Sequence, residues 1–482
     1  MLVIIYNKMY NYGSISEVED DISTTTQQEE SSRQQPIISA EICVVLYTFV
    51  YSVISSVQVQ YVEYMERLDP DTSEEASCSN ESSSEELDLK TRVNFIVLGL
   101  IVASSGTSFL AVPVISQISL RFGYKRGLLI NISLLLLSCC VWLISVLLES
   151  SYWWLVLAQV INGIGGGVAG SQALVTAYLS LIYDNYHLTQ RLVVTGSLTQ
   201  LFIGVAQLLV GFVISDDNFS SSFIMATSIA AAATLYTALC IRHIPSNIDI
   251  TEPGILKKIK KLIKENSSAE NVKFLLIGLV LCGHWGIMRA TITISVIYVI
   301  SYPLCWNSET VGYFLGLLFG LGSVGPLLVY FGTIPDLYLC LLGIASSALL
   351  ILCCAFGYNT EIMFVGASLS LFRAVVGAAL LAYISKMYPH PSSKVALAIA
   401  GCWIAIGEIM APGVYQTIYG FTLQISSSIV FFIMAFLYIP CALVISIYAG
   451  LLPSWNIGNR DVNEKNAKRE DLTESLLNTN HD

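Results

Sequence analysis

Residues 127–148 read GLLINISLLLLSCCVWLISVLL, a stretch without a charged side chain. About 20 apolar residues in a helix cross the hydrocarbon core of a membrane. Similar stretches recur: 54% of the 482 residues are hydrophobic and 12% are charged, and the mean hydropathy is +0.66. Soluble domains carry about 25% charged residues, so this composition excludes an ordinary soluble enzyme and a disordered protein. The net charge of −11 also disfavours a nucleic-acid binder.

The apolar stretches predict an all-α membrane protein with twelve transmembrane helices in two six-helix halves. The predicted spans are 38–61, 93–117, 127–148, 152–183, 192–215, 220–241, 272–301, 310–331, 335–357, 360–386, 393–418 and 424–452. The chain divides into a disordered cytoplasmic tail (1–36), an N-terminal half (37–241), a cytoplasmic linker (242–271), a C-terminal half (272–452) and a cytoplasmic tail (453–482). Two such halves favour a transporter that works by alternating access.

The basic residues predict the orientation, because cytoplasmic loops are enriched in lysine and arginine. With both termini in the cytoplasm, 19 of the 24 basic residues lie inside, 3 lie outside and 2 lie within spans. The acidic loop 62–92 is then external. It contains a glycosylation sequon at Asn80, and a second external sequon begins at Asn218.

Two of the 12 cysteines, Cys78 and Cys305, fall in predicted loops, and both loops are external. External thiols can be oxidised, so a disulfide between the two halves is one hypothesis. Two free thiols are the alternative. The ten cysteines in the spans are interpreted as small apolar residues.

A few charged or titratable side chains fall within the predicted spans. These are Glu41 at the internal end of span one, His284 and Arg289 in span seven, Arg373 in span ten and Glu408 in span eleven. A charge at mid-membrane costs at least about 2.5–3.5 kcal/mol, so each is expected to face a cavity or a partner. Two arginines against one deep acid predict a cavity that binds a small organic anion.

Each of these residues has a second interpretation. Arg373 either clamps a carboxylate or phosphate or pairs with Glu408, and Arg289 has the same two options. His284 either carries a coupled proton or is a neutral, hydrogen-bonded histidine of the bundle. Trp285 either stacks on a planar substrate ring or packs in the core, while Trp306 is assigned to the interfacial aromatic belt.

Several segments carry a family resemblance. The most specific is Pro303–Tyr313, PLCWNSETVGY; weaker ones are Val59–Val62, Ile203–Ala206 and the pair Ser385-Lys386. Together they resemble the proton-coupled folate transporter and thymic stromal cotransporter family of the major facilitator superfamily. The resemblance runs from about 38 to 452. It implies that superfamily's fold, a solute carrier function, and a disulfide between the two external cysteines.

The loop after span two resembles the superfamily's gating motif. Its glycine and basic residues are Arg121, Gly123, Lys125 and Arg126. Leu120 stands where the motif has its acid, and Tyr124 stands where it has its first arginine. A charge relay through this loop is therefore weakened. The alternative role of its basic residues is only to set the orientation of the chain in the membrane.

Two cavity positions also depart from the folate transporter. Gln200 stands where the resemblance places a proton-linked glutamate, and Leu381 stands where it places an arginine. Glutamine does not titrate, so proton coupling through position 200 is excluded. Folate is correspondingly disfavoured as the substrate.

These observations predict a multi-pass solute carrier for an organic anion in the plasma membrane or the endolysosomal membrane. Symport with protons and facilitated diffusion both remain open. The alternative is a non-transporting receptor or scaffold with a transporter fold, which the departures at Leu120, Tyr124 and Gln200 favour. The spans contain no hydrolase or metalloprotease motif, so no enzyme, metal or cofactor is expected.

Overall fold

The computed structural model describes most of the two apolar halves. The described residues are 40–67, 84–149, 151–182, 185–214, 219–242, 260, 262, 264, 267–300, 304–326, 335–388, 392–423 and 425–451. Across this part of the chain all regular secondary structure is helical. The all-α membrane architecture is confirmed.

Fourteen helices occupy the described residues. The first seven are α1 Ala40–Arg67, α2 Ser84–Phe122, α3 Tyr124–Leu147, α4 Tyr152–Ile164, α5 Gly167–Ile182, α6 Asn185–Val213 and α7 Phe219–Cys240. The others are α8 Ser268–Ile300, α9 Ser308–Gly322, α10 Asp336–Ala355, α11 Thr360–Leu369, α12 Val375–Met387, α13 Ser392–Thr422 and α14 Ile429–Leu451.

Within the described ranges, ten helical segments are long and apolar enough to cross a membrane. Two of the twelve predicted spans differ from this description. Span eight contains α9, which ends at Gly322, and residues 327–334 lie outside the described part. Span ten consists of two shorter apolar helices, α11 and α12.

Spans four and ten are each one of the twelve predicted transmembrane helices, and both are broken near the middle. In span four, Gly166 and Gly167 have φ angles of 89° and 57°, which glycine adopts without steric cost. In span ten, Ser370–Ala374 form turns between α11 and α12.

The predicted external loop 62–92 is shorter than expected, because α1 continues to Arg67 and α2 begins at Ser84. The last turn of α1 carries an ion pair of 2.7 Å between Arg67 and Glu63. Glu66 is buried and accepts a hydrogen bond of 2.8 Å from the Tyr152 hydroxyl. These polar contacts extend the helix beyond its apolar stretch.

The helix pairings in the first six spans recur in the last six. α1 packs on α6 as α8 packs on α13, and α3 packs on α7 as α10 packs on α14. Two further pairings, α6 with α9 and α2 with α13, join the first six spans to the last six. Glycine allows α6 and α9 to pack closely, since a Cβ atom on Gly211 would lie only 2.9 Å from the Gly312 Cα.

Candidate functional site

A cavity of about 220 Å³ lies where both sets of six spans meet. Its walls come from α1, α5, α6, α8, α12 and α13, together with Phe319 of α9 and the break before α12. The sequence-predicted residues that line it are Gln200, His284, Trp285, Arg289, Arg373 and Glu408. Six of the seven candidates therefore come together. Leu381, where the resemblance places an arginine, lines the same cavity.

Arg373 lies at the break of span ten and is 2% exposed. Its Nη2 donates to Gln200 Oε1 at 3.2 Å, and its Nη1 lies 3.9 Å from the sulfur of Met288. The guanidinium carbon is 4.8 Å from the centroid of the Phe319 ring. Its Nε has no partner. Across the described residues no carboxylate oxygen lies within 4.0 Å of this guanidinium, so the predicted pair with Glu408 is not formed.

Arg289 of α8 is bonded to α1 instead. Its Nη2 donates to the Tyr51 hydroxyl at 2.6 Å, and its Nη1 donates to Ser55 at 3.2 Å. The guanidinium carbon also lies 5.0 Å from the centroid of the Tyr51 ring. Glu408 interacts electrostatically with Arg289, at a distance beyond direct ion pairing. Arg289 thus joins one set of spans to the other.

His284 and Trp285 follow each other on α8, and both reach the cavity. His284 is 4% exposed, and its Nδ1 lies 3.2 Å from the Tyr438 hydroxyl of α14. The Trp285 Nε1 is buried and has no acceptor. It lies against the first turn of α12, since a Cβ atom on Gly377 would be 3.2 Å from it.

Two sequence-predicted side chains lie elsewhere. Glu41 was a candidate for substrate binding or coupling, but it is absent from the cavity wall. It is buried in α1, and its carboxylate lies 3.8 Å from a guanidinium nitrogen of Arg191 in α6. Trp306 was assigned to the interfacial belt, but it is 8% exposed. It packs between Phe314 and Phe364.

The loop between α2 and α3 consists of Gly123 alone, with a φ angle of 94°. This conformation explains why the motif needs glycine there. Arg121 and Arg126 are exposed, and the Arg126 guanidinium carbon lies 6.0 Å from the Phe122 ring centroid. Lys125 is partly exposed. The gating role of these residues stays a prediction.

The external modifications are tested only in part. Cys305 is disulfide-bonded, and the ten described cysteines of the spans are free. Cys78, Asn80 and Asn218 lie outside the described residues. The Cys78–Cys305 pairing and both glycosylation sites therefore stay predictions.

The sequence interpretation missed the uncharged partners of the two arginines, which are Tyr51, Ser55, Met288 and Phe319. One signal was available for the first two. Tyr47, Tyr51 and Ser55 recur every four residues, which places polar groups on one face of an otherwise apolar helix. Tyr47 also belongs to this polar face, because its hydroxyl donates to Asn162 at 2.7 Å.

Solved structures with this fold are transporters. The crystal structure of the human organic anion transporter MFSD10 (TETRAN) matches with a TM-score of 0.64 at 13% identity, over 84% of this chain and 97% of that one. An auto-inhibited POT family peptide transporter matches with a TM-score of 0.61 at 12% identity, over 86% and 96%. At such identities the likeness shows the fold alone.

Sequence relatives agree with the fold. The proton-coupled folate transporter of Rattus norvegicus is 25% identical over 340 residues, which are 66% of this chain and 72% of that protein. The lysosomal proton-coupled steroid conjugate and bile acid symporter SLC46A3 of Gallus gallus is 23% identical over 317 residues, or 63% and 68%. The family model described as Major Facilitator Superfamily matches residues 42–329. The chain is therefore a multi-pass transporter that belongs to the Major Facilitator Superfamily, and it is similar to the proton-coupled folate transporter.

Proposed function

We propose that this transporter carries an amphipathic organic anion across its membrane by alternating access. The observation that carries the proposal is the charge of the cavity. Its described wall contains two arginines and one acid, Glu408, and no carboxylate lies within 4.0 Å of either guanidinium. A cavity with a positive excess and low dielectric attracts an anion and repels a cation.

The rest of the wall supports an amphipathic solute. Apolar side chains, including Ile203, Met288, Ile292, Val296 and Phe319, surround the charged groups. Pockets for organic ligands are mostly apolar, with a few polar groups that fix orientation. The named relatives transport folate and steroid conjugates or bile acids. Gln200 and Leu381 make folate the weaker candidate, as the sequence already indicates.

Proton coupling is proposed through Glu408. It is the one acidic side chain among the described residues of the cavity wall, and it interacts electrostatically with Arg289. A carboxyl group that gains a proton loses its charge, which changes its interaction with a neighbouring arginine. His284 is the weaker candidate, because it is buried, it lies near the positive charge of Arg373, and its Nδ1 is 3.2 Å from the Tyr438 hydroxyl. Both relatives named above are proton-coupled.

We propose that the first six spans and the last six spans move relative to each other during transport. The recurrence of helix pairings with an offset of six spans supports it, as does the cavity between the two sets. We place both termini in the cytoplasm from the distribution of basic residues. The membrane is proposed to be endolysosomal or the plasma membrane, and one named relative is lysosomal.

Uptake into proteoliposomes tests the proposal. Labelled taurocholate, estrone sulfate and folate would be compared at pH 5.5 and 7.5, with empty liposomes as the control. We expect saturable uptake of a steroid anion and loss of uptake in Arg373→Ala. Glu408→Gln should retain binding but lose the dependence of uptake on pH. Absence of flux for all three anions at both pH values would contradict the proposal and favour a receptor or scaffold.

A further inference from the structure

The two broken spans occupy corresponding positions, because span four of the first six matches span ten of the last six. Both breaks lie near the cavity: Val168 follows the first, and Arg373 and Ala374 belong to the second. In transporters, interrupted helices in corresponding positions often mark the ligand site, because their exposed backbone groups can bind it. The two breaks in this protein differ in how those groups are satisfied.

The break in span four is saturated by neighbouring side chains. Asn131 of α3 donates to the carbonyl oxygens of Gly165 and Gly167, at 2.6 and 3.2 Å. Ser108 of α2 donates to the carbonyl of Gly166 at 2.6 Å. Because its carbonyl oxygens already accept hydrogen bonds from protein side chains, we assign this break a structural role and not a ligand-binding role.

The break in span ten borders the cavity, and one backbone donor of the first turn of α12 is satisfied, because the Val375 N–H donates to the Phe372 carbonyl oxygen at 3.1 Å. The N-cap residue of α12 is Ala374, and no side chain caps the helix there. The first N–H groups of a helix have no intrahelical acceptor, and the helix dipole gives this end a partial positive charge. Ala374, Gly377 and Ala378 of this first turn line the cavity.

Two unpartnered side-chain donors converge on the same turn. Arg373 directly precedes the cap residue, is 2% exposed and has an Nε without an acceptor. The Trp285 Nε1 also has no acceptor, and it lies against Gly377 of the first turn. Buried donors of this kind are costly unless something accepts from them.

We propose that Arg373, Trp285 and the uncapped N-terminus of α12 form the subsite that binds the oxyanion group of the transported solute. The group is a carboxylate, sulfonate or sulfate, which can accept from several donors at once. This assignment rests on the proposed function and deepens it. It gives Arg373 and Arg289 different roles, although the sequence alone allows both arginines to bind the anion.

Arg289 is assigned to joining the helices and not to the anion. Both of its terminal nitrogens already donate to α1, and its guanidinium lies over the Tyr51 ring. Binding an anion there would require these contacts to break. Arg289 therefore serves as the control, because it is a partly buried cavity arginine outside the subsite.

Equilibrium binding of labelled taurocholate, estrone sulfate and folate to the full chain in lipid nanodiscs tests the subsite. We expect Arg373→Lys, which lacks the Nε donor, and Trp285→Phe, which lacks the indole N–H, each to bind at least tenfold more weakly. A hydrogen bond to a charged group supports a loss of that size. Arg289→Lys keeps the positive charge of the cavity wall, so it should bind within threefold of the unmodified protein.

A second readout separates ligand binding from a structural role. Arg373→Met removes a buried charge that has no carboxylate partner, so the melting temperature of the ligand-free protein should stay equal or rise. The same variant should lose anion binding. A lower melting temperature with unchanged affinity would overturn the subsite and leave the transport proposal standing. Failure of the unmodified protein to bind any of the three anions would overturn both.

Discussion

Gln200 of α6 and Arg373 of span ten meet across the cavity, and their hydrogen bond of 3.2 Å joins the first six spans to the last six. A neutral amide oxygen leaves the arginine with a full positive charge for a ligand. A carboxylate in the same position would pair with the guanidinium and compete with any anion from solution. Gln200 therefore keeps Arg373 available.

This contact predicts the effect of Gln200→Glu. The new carboxylate is charged at high pH and competes with the solute, so anion uptake at pH 7.5 should fall about tenfold, as loss of a charged hydrogen bond implies. At pH 5.5 a larger share of the carboxyl groups is protonated, so uptake should recover in part, limited by the pairing with Arg373 that favours the charged form. The measurement is initial uptake of labelled taurocholate across this pH range.

Gln207→Glu is the matched control, because Gln207 lines the same cavity from the same helix but bonds to Ser52 and Ser56 of α1. It should not reproduce the recovery at low pH. If Gln200→Glu behaves like Gln207→Glu, or has no effect at pH 7.5, the role given to the Gln200–Arg373 contact is wrong.

At the residue scale, sequence reasoning found the charged members of the site and missed their neutral partners. Arg289, Arg373 and Glu408 could be predicted because a charge inside a membrane is costly and needs a polar surrounding. Tyr51 carries no charge, and the signal for it in the sequence is its four-residue recurrence with Tyr47 and Ser55. Glu41 was grouped with these residues, but its carboxylate lies 3.8 Å from Arg191, which is far away in the sequence and directly precedes predicted span five.

At the element scale, the contact between α6 and α9 depends on glycine. A Cβ atom on Gly312 would lie 2.8 Å from the Gly211 Cα and 3.0 Å from the Gln207 carbonyl oxygen. Backbone atoms cannot move aside without separating the helices. The pairing of α6 with α9 is one of the extensive helix pairings that join the first six spans to the last six.

Gly312→Ala should therefore lower the melting temperature and the uptake rate together, since overpacking costs about 1–3 kcal/mol. Gly320→Ala lies on the same helix and provides the control, because a Cβ atom there meets nothing within 4 Å. Alanine favours a helix over glycine by about 1 kcal/mol, so the control should hold or gain stability. Equal melting temperatures for the two variants would contradict the proposed close packing.

The breaks within spans four and ten are features that a hydropathy average cannot predict. Twelve apolar stretches predict where helices cross a membrane, because hydropathy measures composition over about 20 residues. A break of a few residues does not change that average. The glycine run of span four offered a local signal, but Ser370–Ala374 contain neither glycine nor proline. That break depends on a tertiary contact, since Ser346 of α10 accepts from the Phe372 N–H and donates to the Leu369 carbonyl.

At the scale of the whole molecule, the Cys78–Cys305 hypothesis predicts that the two halves are covalently joined. Cys305 is disulfide-bonded. After proteolysis within the 242–271 linker, the two fragments should migrate together on a denaturing gel and separate when reductant is added. Cys78→Ser should separate them without reductant. Fragments of the unmodified protein that separate without reductant would contradict this pairing.

Alternating access requires the two halves to part at each end in turn, and one contact at the predicted external end can be locked. The Ser308 hydroxyl of α9 donates to Gln60 Oε1 of α1 at 2.7 Å. A double variant, Gln60→Cys with Ser308→Cys, joined by a short thiol crosslinker, should abolish uptake. Reductive cleavage of the crosslinker should restore uptake, because the external end can open again.

The control crosslink lies within one half. Thr237→Cys of α7 faces native Cys43 of α1, whose sulfur is 3.2 Å from the Thr237 hydroxyl oxygen. Joining two helices that move together leaves the rocking motion possible, so uptake should persist. Loss of uptake in both crosslinked proteins would mean that any restraint inactivates the chain. Persistent uptake with Gln60→Cys joined to Ser308→Cys would mean that the solute passes without separation of α1 from α9, and alternating access between these halves would be wrong.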